Sequence, residues 1–130
     1  MRKILVVDDD ESILEVIDIL LSQNGYQVIT VASLHNLTSI VQNEQPDLIL
    51  LDLLVNGSNG REVCKSLKEN PLTNSIPIIL FSASNNRLKN FKDCNADGIL
   101  EKPFDLSKLL GVIKSSIKMV SFFSFVKYMH

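Results

Sequence analysis

Asp8 and Asp9, Asp52, Ser82 and Lys102 carry side chains whose types and spacing suit one piece of chemistry. Three carboxylates brought together repel and raise one another's pKa unless a hard divalent cation or an ammonium holds them ionised. Magnesium suits carboxylate, carbonyl and water ligands, and Lys102 would add a fixed positive charge. A carboxylate in such surroundings can attack a phosphoryl group while metal and lysine neutralise its oxygens and a hydroxyl or backbone N–H holds the third. Asp52 is the candidate nucleophile. No histidine offers itself as a general base: His35 and His130 lack carboxylate or histidine partners at ligand spacing and are taken as solvated.

Those residues can meet only if the chain brings them together, and the apolar pattern says how. Residues 48–51 are four apolar residues without alternation, as in a central strand covered on both faces, and the run ends on Asp52. Pro46 and Asp47 mark its entry, and Asp47 serves the turn before it. Ile4-Leu5-Val6-Val7 repeats the pattern and ends on Asp8-Asp9-Asp10. Ser12-x-x-Glu15 fits a capping box, Asp10 caps the first helix and is not a metal ligand, and Ile13, Val16, Ile17, Leu20 and Leu21 recur at helical spacing until Asn24-Gly25. Residues 27–32 form a β-branched strand, followed by a shorter helical stripe of Leu37, Ile40 and Val41.

After Asp52, a loop over 53–59 leads to a helix from about Gly60, with Val63, Cys64 and Leu67 inward and Asn70-Pro71 at its end. Ile78-Ile79-Leu80-Phe81 is a further buried strand, ending on Ser82-Ala83-Ser84. Residues 86–94 make a marginal helix, with Leu88 and Phe91 as its apolar face and Asn95 as its left-handed end. Ile99 and Leu100 form the last strand, Lys102-Pro103 follows, and Leu106, Leu109, Leu110, Ile113 and Ile117 stripe a final helix. Strands alternating with helices predict a parallel α/β sheet with helices on both faces, whose strand ends gather Asp8, Asp9, Asp52, Ser82 and Lys102 at one edge. Singly, the acids fit a solvated loop or cap, Ser82 a strand-end hydroxyl and Lys102 a surface charge. Gathered at one edge, they favour a functional site.

Composition narrows the classes. A chain of 130 residues with 45% hydrophobic content fits one compact domain with a real core. A net charge of -2 from 13 basic and 15 acidic residues gives no basic field, so nucleic acid is not an implied partner. No apolar run is long enough to span a bilayer. Cys64 and Cys94 lack metal-site spacing, and without a signal-peptide pattern they read as reduced thiols of a cytoplasmic protein.

Asp8-Asp9 after the first strand, Asp52 after the third, Ser82-Ala83 after the fourth and Lys102-Pro103-Phe104 after the fifth together resemble a two-component response regulator receiver domain. The likeness covers roughly residues 2–118, which assigns a receiver domain to residues 1–118 and leaves 119–130 as an extension or tail. It implies a flavodoxin-like three-layer sandwich with a five-stranded parallel sheet in the order 2-1-3-4-5. It implies that Asp52 accepts a phosphoryl group from a phosphohistidine on a sensor histidine kinase or phosphotransfer protein, or from a small phosphodonor. Asp8, Asp9, Asp52 and the Leu54 carbonyl would hold Mg²⁺, while Ser82, the Ala83 N–H and Lys102 would bind phosphoryl oxygens. The receiver would catalyse its own phosphorylation and dephosphorylation without being an enzyme in the usual sense. A shift of Ser82 towards the phosphate would pass to the face of the fourth helix, fifth strand and fifth helix, which selects a downstream effector protein.

The chain departs from that pattern in places. Ile99 stands where relatives usually carry a rotating Tyr or Phe, Asn56 replaces a common Pro, and the segment from Ser82 to Lys102 is slightly short. Leu54, apolar, cannot orient an attacking water, which predicts slow self-dephosphorylation. Residues 119–130 hold three of the six Phe and either extend the last helix, with Phe122, Phe123 and Val126 as a partner or homodimer surface, or form a tail. They are too few for an effector domain, so output is expected through another protein. Three other classes compare less well. An aspartyl-phosphate hydrolase of the haloacid dehalogenase type needs an acid where Leu54 stands. A flavodoxin-like cofactor module needs a phosphate-binding loop where residues 8–11 are acidic. A receiver-like module that binds without phosphorylation is the third.

Overall fold

The computed structural model describes residues 1–82 and 91–128, with side chains for all of these except 91–92 and 118–128. Its core is a sheet of five parallel strands, β1 (Lys3–Val7), β2 (Gln27–Val31), β3 (Leu48–Asp52), β6 (Ile78–Ser82) and β7 (Gly98–Glu101), in the order β2-β1-β3-β6-β7. Two short strands, β4 (Leu54–Val55) and β5 (Ser58–Asn59), form an antiparallel hairpin of their own. Leaving out that hairpin, the order is the expected 2-1-3-4-5 in a flavodoxin-like sandwich.

The unalternating apolar strands are buried because both faces are covered. Leu5, Val7, Ile49, Leu51, Ile78 and Leu80 pack with α2 (Leu37–Glu44) and α3 (Gly60–Glu69). The intervening residues Ile4, Val6, Leu48, Leu50, Ile79 and Phe81 pack on the other side with α1 (Glu11–Gln23) and α4 (Leu106–Tyr128). Side chains of successive strand residues point to opposite faces, so a strand of Leu, Ile and Val throughout feeds two cores at once. None of the helices among the described residues is long and apolar enough to cross a membrane.

Several local expectations are corrected. The Ser12-x-x-Glu15 capping box does not form, and the expected cap Asp10 holds the first helix, its side chain accepting from the Ser12 and Ile13 N–H groups. Asp10 lies outside the helix in extended conformation, as a cap must, whereas Ser12 is already inside it. The buried line of α1 is Leu14, Ile17 and Leu21, while Val16 is 54% exposed. The apolar positions are dense enough to fit more than one helical stripe, and contact with the sheet selects one. The 53–59 loop contains the β4–β5 hairpin, whose turn puts Asn56 and Gly57 at φ 51° and 78°. Of the expected 86–94 helix, the described part is a 3-10 turn, Phe91–Cys94, followed by Asn95 at φ 62°. Residues 86–90 of that element lie outside the described residues. The last helix continues far past Ile117, to Tyr128.

Candidate functional site

Hydrogen bonding beyond the strand ends positions the site. The Asp8 N–H donates to the Val31 carbonyl at 3.1 Å, carrying the β1–β2 ladder one residue past β1. Val7 pairs with Leu51, so the next residues on the two strands are Asp8 and Asp52. The Leu53 N–H donates to the Phe81 carbonyl, and the Lys102 N–H to the Ser82 carbonyl at 2.9 Å. Asp8, Asp52 and Lys102 are thus held by the sheet itself and not by loop packing. Lys102 and Pro103 are joined by a cis peptide bond.

Carboxylate oxygens of Asp8, Asp9 and Asp52 all lie within 4.8 Å of one another. Asp8 is 1% and Asp52 8% exposed, whereas Asp9 is open to solvent. Lys102 Nζ sits 2.8 Å from Asp8 Oδ2 and 3.3 Å from Asp52 Oδ2, bridging the two buried acids. It also lies 4.5 Å from the centre of the Phe81 ring, a cation–π contact, and Phe104 meets that ring edge-on at 6.3 Å. Each acid is oriented by a backbone amide: Asp8 Oδ1 accepts from Asp10, Asp52 Oδ1 from Leu54 at 3.2 Å, and Asp9 Oδ2 from Asn56 at 2.8 Å. Asn56 is anchored in turn by its side-chain amide, which donates to the Ala32 carbonyl.

Burial pushes the Asp52 carboxyl above its ordinary pKa, and the Asp8 carboxylate adds to the rise. The Leu54 N–H and the Lys102 ammonium oppose it. One cation shared between two buried acids, with a third acid beside them, leaves excess negative charge in a partly desolvated site. That donor set fits a hard divalent cation: Asp8, Asp9 and Asp52 supply hard carboxylate oxygens close enough to share one ion.

The structure therefore brings together Asp8, Asp9, Asp52 and Lys102. Ser82 ends β6, buried and paired in register with Glu101, the residue before Lys102. For Leu54 the contact shown is its N–H on Asp52, not its carbonyl. Ala83 and Ser84 lie outside the described residues. Three contributors were not singled out from sequence. Asn56 was legible only as a turn residue, although its Asn-Gly signal marks a backbone able to turn its N–H inward. Phe81 was assigned to the core alone. Gly60 lies so close to the Asp52 carbonyl that a Cβ there would collide with backbone.

A family model of the response regulator receiver domain matches residues 4–114. Among solved structures, a putative response regulator from Chloroflexus aurantiacus is 27% identical, covers 90% of this chain and 98% of its own, and superposes with a TM-score of 0.84. The chemotaxis protein CheY4 of Vibrio cholerae is 28% identical with a TM-score of 0.80, covering 89% of this chain and 98% of its own. NtrX from Brucella abortus, 22% identical, shares the fold over all of this chain with a TM-score of 0.90, but that match spans 30% of NtrX.

Proposed function

Because this chain belongs to the response regulator receiver domain family, we propose that Asp52 accepts a phosphoryl group and that the charge it gains signals to a partner protein. The observation that carries this reading is Lys102 Nζ placed between Asp8 and Asp52, with the Asp9 carboxylate alongside. Transfer would break the phosphorus–nitrogen bond of a donor phosphohistidine, its electron pair staying on the imidazole, and form a phosphorus–oxygen bond to the Asp52 carboxylate. The chain's part is positional and electrostatic. The Leu54 N–H fixes the carboxylate plane, Lys102 draws a phosphoryl oxygen, and Ser82 stands at the adjoining strand end. Asp8, Asp9 and Asp52 would hold Mg²⁺, which when bound supplies positive charge for the phosphoryl oxygens.

In this reading the protein is a phosphoacceptor rather than a turnover enzyme. Its donor is a sensor histidine kinase or a phosphotransfer protein, and its output is a downstream effector. The test is incubation with acetyl phosphate and Mg²⁺ followed by intact mass. Wild type should gain one phosphoryl mass and Asp52→Asn none. Equal labelling of the two would place the acceptor elsewhere, and no labelling under any donor would leave a receiver-like module that binds without phosphorylation.

A further inference from the structure

Two of the three clustered acids are held by burial, and the third by something else. Asp8 and Asp52 are buried and share the Lys102 ammonium, which leaves their carboxylates little freedom. Asp9 stands in solvent, where an aspartate side chain samples several rotamers. The bond shown for its carboxylate comes from far along the chain: the Asn56 backbone N–H donates to Asp9 Oδ2 at 2.8 Å.

A hairpin places that N–H. β4 and β5 pair Leu54 with Asn59 and Val55 with Ser58, so Asn56 and Gly57 form a two-residue turn with φ 51° and 78°. Such a turn needs left-handed backbone at both positions, which asparagine tolerates and glycine adopts freely. Val55, 1% exposed, roots the hairpin in the core beneath it. The Asn56 side-chain amide ties the tip to the Ala32 carbonyl, just past β2, at 3.3 Å. Two residues before Asn56, the Leu54 N–H donates to Asp52 Oδ1. One short stretch of backbone therefore holds an oxygen of Asp52 and an oxygen of Asp9, and so governs how the two carboxylates stand to each other.

We propose that Asn56 is a positioning residue for the cation site: its backbone N–H orients the Asp9 carboxylate, and its side-chain amide holds the turn where that N–H can do so. This rests on the reading that Asp8, Asp9 and Asp52 hold Mg²⁺. An Asp9 already oriented loses less side-chain freedom on taking up the ion, so the ion binds more tightly. Groups that orient a metal's ligands without touching the metal are commonly worth about 10–100-fold in affinity.

The test is the melting temperature of the full chain against Mg²⁺ concentration with no phosphodonor present, a readout that follows weak binding as well as strong. Asn56→Pro deletes the N–H and should weaken Mg²⁺ binding about tenfold or more. Asn56→Gly keeps the N–H and accepts a positive φ, losing only the bond to Ala32, and should fall between the proline variant and wild type. Both substitutions are then repeated in Asp9→Ala. With no carboxylate to orient, Asn56→Pro should add nothing to the loss that Asp9→Ala itself causes. A turn that served the fold alone would instead weaken binding by the same factor in both backgrounds, and that result overturns the proposal. Wild-type affinity in Asn56→Pro, or an Asn56→Gly as weak as Asn56→Pro, overturns it equally. A wild type whose melting ignores Mg²⁺ overturns it together with the metal site. Labelling of Asp52 by acetyl phosphate is scored separately, so its failure overturns the acceptor reading alone.

Discussion

Asp52 meets two opposed demands, being buried enough for its charge to matter and yet ionised in order to act. Its folded-state pKa lies above the unfolded one because burial penalises the charged form. An acid shifted upward favours folding while protonated, so its contribution is fully present below the unfolded pKa. That contribution is lost as pH rises from there through the folded pKa, and above it the ionised carboxylate counts against the fold. Asp52→Asn should therefore be more stable than wild type in metal-free buffer at neutral pH, by on the order of 1 kcal/mol or a few degrees in Tm. The gap should close on acidification; thermal melts of both proteins across the carboxylate range measure it, and a gap independent of pH would refute the assignment. Leu54 sits at the same site, 38% exposed and apolar. Because an apolar side chain at this position cannot orient water, the phosphorylated protein should hydrolyse slowly, and Leu54→Asn should hasten loss of the label by about tenfold, modest beside the 10²–10⁴ of a placed general base. Following the phosphoprotein by mass after donor removal gives both rates.

At the scale of elements, the acceptor depends on how tightly α3 approaches β3. Gly60 begins α3 with its N–H donating to the Leu53 carbonyl at 2.8 Å, and a Cβ at this position would run into the Asp52 carbonyl oxygen. Gly60→Ala should force the strand end and helix start apart, costing roughly 1–3 kcal/mol and slowing phosphorylation, read from urea midpoints and from labelling rates together. The opposite end of the sheet has its own clamp. Lys68 Nζ pairs with Asp97 Oδ2 at 2.6 Å and donates to the Ile76 carbonyl at 2.8 Å, while Asp97 Oδ2 accepts from the Ile78 N–H. Lys68→Met should cost about 1–2 kcal/mol, less than a fully buried pair because Asp97 is partly solvated, with labelling of Asp52 unchanged. The strands were legible in the sequence because four or five consecutive Leu, Ile and Val residues have few other uses in so short a run. The register of α1 was not, since Ile13, Leu14, Val16, Ile17, Ile19, Leu20 and Leu21 satisfy several stripes and only the sheet decides among them. Site residues at strand ends were legible for the same reason as the strands. Asn56 and Phe81 were not, because one acts through its backbone and the other looks like any core aromatic until Lys102 is placed above it.

For the whole molecule, one edge of the sheet concentrates acid in a chain whose net charge is only -2. Mg²⁺ should therefore raise the melting temperature of wild type, and by less in Asp9→Asn, while chelation should abolish labelling from acetyl phosphate. Melting with and without EDTA measures the first effect, and intact mass the second. Lys102 belongs to two places at once: its ammonium stands between Asp8 and Asp52, and the same residue lines an open apolar groove beside α1, together with Val16, Leu20 and Phe104. A group shared in this way makes the two places thermodynamic neighbours. If a phosphoryl group on Asp52 alters how firmly a molecule settles beside α1, that molecule must alter the equilibrium of phosphoryl gain by the same factor, in the same sense. Measuring either affinity in both states of the other therefore yields a single coupling constant, and a value of one would mean that the lysine transmits nothing.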